Sequence, residues 1–225
     1  MILFTRIFFL LGPLFFYFFL LTLINNKKTI KFLELLKFFL IGSISMAIVK
    51  FLFFLKPNLY EGYTSFETFF FRVAPTEEIS KMVTSVLIIT IFKVKNKLKI
   101  VNIFVIVALS FSFIENLQYS VFGLEVVLVR WFTATISHMT YGYLMGYLYV
   151  YDFTKIGRLG DWLGTHRKLT KIFVFIPSLI VPCVIHGVWN YNLNESTQPM
   201  SVVFLIIPLM LMFIGLTYKK IENKN

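Results

Sequence analysis

Apolar runs of about twenty residues, separated by short polar stretches, make up most of this chain. Seven runs can be bounded: Leu3–Ile24, Phe32–Leu55, Pro75–Phe92, Ile100–Phe122, Leu124–Tyr151, Ile172–Tyr191 and Met200–Tyr218. Each is near the length a helix needs to cross the hydrocarbon of a bilayer, roughly 20 residues. The pattern predicts an all-α, polytopic membrane helix bundle of about seven transmembrane helices, with residues 1–225 as a single membrane-embedded domain. The first run exceeds the apolar core of a signal peptide, about 7–15 residues, and lacks a small-residue cleavage site, so it is expected to be retained. Pro13 marks a bend in it. Between the second and third runs lies a longer loop. Its later part, Phe66 to Arg72, reads as a short aromatic helix lying in the interface.

Composition supports this picture. Of 225 residues, 58% are hydrophobic and 28 are Phe, which excludes an ordinary soluble domain. The net charge of +11 does not indicate nucleic acid, because the Lys and Arg residues cluster between the apolar runs. Fifteen of them fall in four stretches, three at 27–31, four at 93–99, five at 155–171 and three at 219–224. With seven spans, all four stretches share one side, and the loops at Gly123 and at 192–198 carry none. Basic loops stay cytoplasmic, so the N-terminus is expected outside and the C-terminus inside. Cys183 is the single cysteine, which excludes an intramolecular disulfide and a cysteine-based metal site. No internal repeat is visible. Near the ends of the second run, Glu34 is expected to pair with Lys37, and Lys50 to snorkel.

Ionisable groups inside apolar runs change the picture most, because burying them in hydrocarbon costs a few kcal/mol each or more. The third run opens with Glu77, Glu78 and Lys81, the fourth holds Glu115 and Asn116, the fifth Arg130 and His138, and the sixth His186 and Asn190. With the orientation fixed by Lys and Arg alone, Glu77 and Glu78 lie in the outer first turn of their helix. At 1.5 Å per residue Glu115 lies about 10 Å deep, His186 roughly 8 Å and Asn190 roughly 2 Å. On the same count His138 lies about 20 Å down, which fits least well. His186 and Asn190, four residues apart, share a helix face. Lys81 is placed to neutralise one of the two carboxylates and leave the other free to exchange a proton. Gly142, Gly146 and Gly187 would let helices approach closely around the site. Each group also has an ordinary reading. Acidic residues favour a helix N-terminus, a membrane His is often an interhelical hydrogen-bond partner, Arg130 can pair with Glu125, and His166 belongs to a solvated basic loop. The joint pattern on four helices, mostly at one depth, points to one shared site within residues 75–191.

Glu77-Glu78-x-x-Lys81, Phe111-x-x-x-Glu115-Asn116 with Tyr119, His138 with Gly142 and Gly146, and His186-x-x-x-Asn190 resemble the PrsW family of intramembrane proteases. The set is similar in pattern to the CAAX-prenyl endopeptidase and bacteriocin-immunity group. Glu115 stands where that group has a His, which favours PrsW. The resemblance implies an endopeptidase of the bacterial cell membrane that cleaves a single-span membrane protein, such as an anti-sigma factor, near the extracytoplasmic face. The mechanism expected on that basis has Glu77 activating a water also held by His186. Glu78, held by Lys81, orients it, and His138 and Asn190 donate to the oxyanion. Glu115 is either a second carboxylate on the water or a metal ligand. Zinc is left open, with Glu115, His138 and His186 as candidate ligands. The absence of His-Glu-x-x-His and the likeness to the CAAX group favour a mechanism without metal. A proton-coupled transporter and a non-catalytic scaffold or immunity protein are the alternatives.

Overall fold

A computed structural model of the chain describes residues 30–55, 62–151 and 167–195, and the regular structure among them is helical throughout. Helices α1 (Phe32–Gly42) and α2 (Ile44–Leu55) form the second apolar run, with a turn at Ser43 between them. The one-turn α3 (Ser65–Thr68) passes through a π-helical turn, Phe69–Val73, into α4 (Ala74–Ile91). Helix α5 (Lys97–Tyr119) ends in a 3-10 turn, Ser120–Phe122. Gly123, at φ 119°, then turns the chain into α6 (Leu124–Phe132), followed by α7 (Ala134–Val150) and α8 (Arg167–Glu195). The first and seventh apolar runs, His166 and the basic tail lie outside the described residues.

Local chemistry sets these boundaries. Thr64 caps α3 in a capping box: its hydroxyl accepts from the Glu67 N–H, and the Glu67 carboxylate accepts from the Thr64 N–H. Those Thr64 donors hold the Glu67 carboxyl below its ordinary range. Asn96 starts α5 by accepting from the Lys99 N–H at 2.8 Å. Pro75, which cannot donate to a carbonyl one turn back, sits just after the π turn, and the wider turn absorbs the missing bond.

Three helical stretches among the described residues, Phe32–Leu55, Lys97–Phe122 and Val174–Asn194, are long and apolar enough to cross a membrane. Helix α5 is central, with residues 100–112 all buried. Helix α7 lies against it through Gly142 and Gly146. A Cβ on Gly142 would fall 2.6 Å from the Ala108 Cβ and 2.7 Å from the Phe104 carbonyl oxygen, and one on Gly146 2.9 Å from the Val101 Cα. The expected role of these two glycines in close packing matches that contact. Gly42 performs the same service for α1, beside Ser110, whose hydroxyl donates to the Phe39 carbonyl at 2.6 Å. Outward-facing Phe51, Phe54, Leu87 and Val184 remain exposed, as expected of side chains whose solvent is lipid.

Two expectations are corrected here. The fifth run is two helices, broken at Thr133, whose φ of −118° and ψ of −80° leave the helical region. Hydrogen bonds ease the break: the Thr133 hydroxyl donates to the Val129 carbonyl, and the Thr133 carbonyl accepts from the Ser137 N–H and hydroxyl. Glu34 pairs with Lys99 of α5 at 2.9 Å and not with Lys37, whose ammonium lies over the Phe92 ring.

Candidate active site

The first two turns of α4 carry three ionisable side chains, all buried. The Lys81 ammonium donates to Glu78 Oε1 at 2.7 Å and stands 3.9 Å from Glu77 Oε2. Lys81 therefore neutralises Glu78 and leaves Glu77 the freer carboxylate, as the i,i+3 and i,i+4 spacings predicted. Its third neighbour is His138 Nδ1, at 2.9 Å. Below it the Phe111 ring receives the ammonium on its face, 4.3 Å from the centroid. The aromatic residue of Phe111-x-x-x-Glu115 thus serves as the apolar floor of a buried cation.

Helix α8 brings His186 against the same carboxylates. Its Nδ1 lies 2.7 Å from Glu78 Oε1, and its Nε2 faces Glu77 Oε2 at 3.8 Å. Glu78 therefore bridges Lys81 and His186, and fixes which ring nitrogen turns toward Glu77. Gly187 allows this approach, because a Cβ there would meet the Phe70 ring at 2.9 Å. One turn on, Asn190 lines the same cavity.

The third group hangs from α5, α6 and α7. Glu115 Oε2 contacts His138 Nε2 at 3.0 Å and Arg130 Nη2 at 2.6 Å. Arg130 also donates through Nε to Asn116 Oδ1 at 2.7 Å and covers the Tyr119 ring. Asn116 in turn donates to the Thr135 hydroxyl at 2.9 Å, as Ser112 does at 3.1 Å. Arg130 is thereby committed to Glu115 and Asn116, on the side of the site, and not to Glu125, its alternative partner. That partner is nearer in sequence, but Glu115 lies across the Gly123 turn, on the side facing the site.

All the expected site residues are thus brought together. The chain of contacts runs Arg130–Glu115–His138–Lys81–Glu78–His186 and ends at Glu77. The apparent depth of His138 came from counting from Leu124. Counted from Ala134, where α7 begins, it lies only about 6 Å into the helix. Sequence reasoning missed Tyr141, which is fully buried and stacks on His186 with ring centroids 4.9 Å apart. Its position three residues after His138, on the same helix face, was the available signal. Ser112 and Thr135 carried no such signal.

Glu77, Glu115, His138, His186 and Asn190 open onto one cavity of about 460 Å³. A metal ion would find a fitting donor set there. Glu77, His138 and His186 each offer a ligand atom within 4.8 Å of the others, two imidazoles and one carboxylate, as in open zinc sites. Glu77 Oε2 is buried and has no hydrogen-bond partner among the described residues. His186 also rests its other nitrogen on Glu78, the usual support of a metal-binding imidazole. His138 instead rests Nε2 on Glu115 and meets the Lys81 ammonium through Nδ1, so an ion taking that nitrogen would have to displace Lys81. Three carboxylates face two cations, Lys81 and Arg130, so positive charge is still wanted. The geometry thus offers a second candidate ligand set beside Glu115, His138 and His186. In it Glu77 stands in place of Glu115, whose contacting oxygen is held by Arg130 and His138.

Comparison with known proteins gives one match. The family model described as PrsW family intramembrane metalloprotease matches residues 31–217. No curated protein and no solved structure matches the chain.

Proposed function

The chain belongs to the PrsW family of intramembrane metalloproteases, and from that premise we propose that its buried cavity hydrolyses a peptide bond in a single-span protein of the bacterial cell membrane. The observation that carries this reading is the unpartnered Glu77 Oε2 facing His186 Nε2. A carboxylate and an imidazole 3.8 Å apart, the imidazole fixed from behind by Glu78, suit a base and a partner that share one water. In this mechanism Glu77 takes the proton of the attacking water and returns it to the leaving amine. His186 holds the water, and Glu78 fixes the His186 tautomer. Lys81 keeps Glu78 ionised as an acceptor. Asn190 donates to the oxyanion. His138, with both ring nitrogens occupied by Lys81 and Glu115, is better suited to positioning than to the oxyanion role first expected for it.

A metal bound by Glu77, His186 and, with Lys81 displaced from its Nδ1, His138 would polarise the scissile carbonyl and acidify the water. A carboxylate that holds an ion through one oxygen can still accept a proton through the other. The family description weighs against the metal-free preference drawn from the sequence.

The proposal places the cavity near the extracytoplasmic face of a seven-helix protein, N-terminus out and C-terminus in, with an anti-sigma factor as one kind of substrate. Single cysteines introduced at Ser196 and Lys97 should then label from opposite sides, outer and cytoplasmic. Labelling of both from one side would overturn the orientation.

The central test is cleavage of candidate single-span proteins by the purified protein in liposomes, with and without a strong zinc chelator. Cleavage that stops on chelation and returns with added zinc is the expected result. Cleavage that is indifferent to chelation would remove the metal from the proposal and leave the glutamate chemistry standing. A folded protein that cleaves none of a broad set would remove both.

A further inference from the structure

One cation on the cavity wall takes no part in the chemistry above. Lys50 lies on α2, within a stripe of lining residues formed by Met46, Val49, Lys50 and Phe53. Met46 and Val49 are buried and pack on Phe111, so they form the inward face of the helix, and Lys50 lines the cavity from the exposed border of that face. The lipid-facing side of the same turns carries Phe51 and Phe54, both well exposed. A lysine present only to snorkel has no need to line the cavity. Among the described residues Lys50 makes no ion pair and no hydrogen bond, unlike the other lining cation, Arg130, which is engaged by Glu115, Asn116 and the Tyr119 ring. Exposed at the edge of an apolar stripe and without a partner among the described residues, its ammonium is free to meet an incoming carboxylate.

We propose that Lys50 is a specificity-determining residue that pairs with an acidic side chain of the substrate close to the scissile bond. The inference rests on the proteolytic reading of the cavity and adds the chemical class of peptide it prefers. Two carboxylates, Glu77 and Glu115, line the cavity on α4 and α5. An acidic substrate residue is repelled from them and attracted to the α2 wall, so Lys50 fixes the register in which the peptide enters. Met46, Val49 and Phe53 supply the apolar surface for the neighbouring residues of the substrate. Basic residues at the same substrate position would meet Lys50 as a like charge and be rejected, which is how one side chain can both select and exclude.

The test uses the full chain in liposomes and a set of single-span reporters. Asp, Asn or Lys is placed in turn at each position flanking the cleaved bond. The wild-type protein should prefer Asp over Lys by about tenfold in kcat/KM at one position, as expected for attraction set against like-charge repulsion. Lys50→Gln should flatten that preference, and Lys50→Glu should reverse it, restoring cleavage of the Lys reporter. An unchanged Asp-to-Lys ratio in Lys50→Glu overturns the inference alone. A uniform fall for every reporter, with the ratio kept, also overturns it and assigns Lys50 to a lipid headgroup phosphate. Absence of cleavage by the wild type on all reporters overturns the proteolytic reading and this inference with it. Because Lys50 is exposed in the structure, both variants should fold, which matched thermal unfolding would verify.

Discussion

Helices α5 and α7 meet twice, and the two meetings use opposite chemistry. Toward the start of α5 they join through glycine and apolar surface. Gly142 and Gly146 set their Cα atoms against Ala108, Phe104 and Val101, and Leu98, Val105 and Leu109 pack with Met139 and Tyr143. Toward its end the same helices join through Ser112–Thr135, Asn116–Thr135 and Glu115–His138 hydrogen bonds. Lipid offers no hydrophobic drive between helices, so association depends on close packing and on polar contacts. Here the two are divided along one pair: contact without a gap at one end, and directed polar contact around a cavity at the other. The rigid apolar half can hold the polar half open. Site side chains must stay about a water's width apart, and they would close up if the helices were free to slide.

The largest effect tests the open end. Glu77→Gln keeps the size and hydrogen-bonding ability of the side chain but removes the base. Cleavage should fall by roughly 10²–10⁴-fold, the usual worth of a general base. The variant should insert and unfold like the wild type, since Gln can still sit beside Lys81 and His186. If Glu77 merely favoured the helix macrodipole, the change would cost no more than about 1 kcal/mol of stability and activity would persist. Retained cleavage in a folded Glu77→Gln protein would defeat the chemical assignment.

The second effect tests the closed end. At Gly142 even a methyl group would lie 2.6 Å from the Ala108 Cβ, and the carbonyl of Phe104 is backbone that cannot turn aside. Gly142→Leu should destabilise by about 1–3 kcal/mol or more, the range for overpacked cores. Because α7 carries His138, activity should fall as well, although position 142 touches none of the site groups. Normal stability would show that the two halves are not mechanically joined.

Much of the site was legible because helical spacing is a local property. Glu77 with Lys81, and His186 with Asn190, are turns of single helices, and their shared face follows from 3.6 residues per turn. What escaped depended on the path between helices. The break at Thr133 has neither Pro nor Gly beside it, so nothing in the pattern of Leu124–Tyr151 signalled that α7 begins anew at Ala134. That one break accounts for the misjudged depth of His138. Glu34 was assigned the nearest opposite charge in sequence, and Arg130 was left with Glu125 as one alternative, whereas both found partners on α5. The second candidate ligand set escaped for the same reason. Glu115 meets His138 but is also held by Arg130, whereas Glu77 is not, and no spacing within one helix encodes where Arg130 lands.

The smallest effect separates the two kinds of helix contact most finely. Ser112 is fully buried, and its hydroxyl donates to Thr135, which also accepts from Asn116. Ser112→Ala removes one of the two donors without opening a large cavity. The Thr135 hydroxyl keeps its bond from Asn116, so no buried polar group is stranded there. The loss should therefore be that of one net hydrogen bond, about 0.5–1.5 kcal/mol. Equilibrium unfolding in mixed detergent would measure it against wild type. Cleavage should change little, because Asn116 still holds Arg130, and Arg130 still holds Glu115. If the polar end acts as a single cooperative network, Ser112→Ala should instead approach the cost of Gly142→Leu and lower turnover with it. A small loss, confined to stability, would show that the open end is held chiefly by the Arg130–Glu115–His138 contacts, with the hydroxyl pair as a minor seam between the two regions.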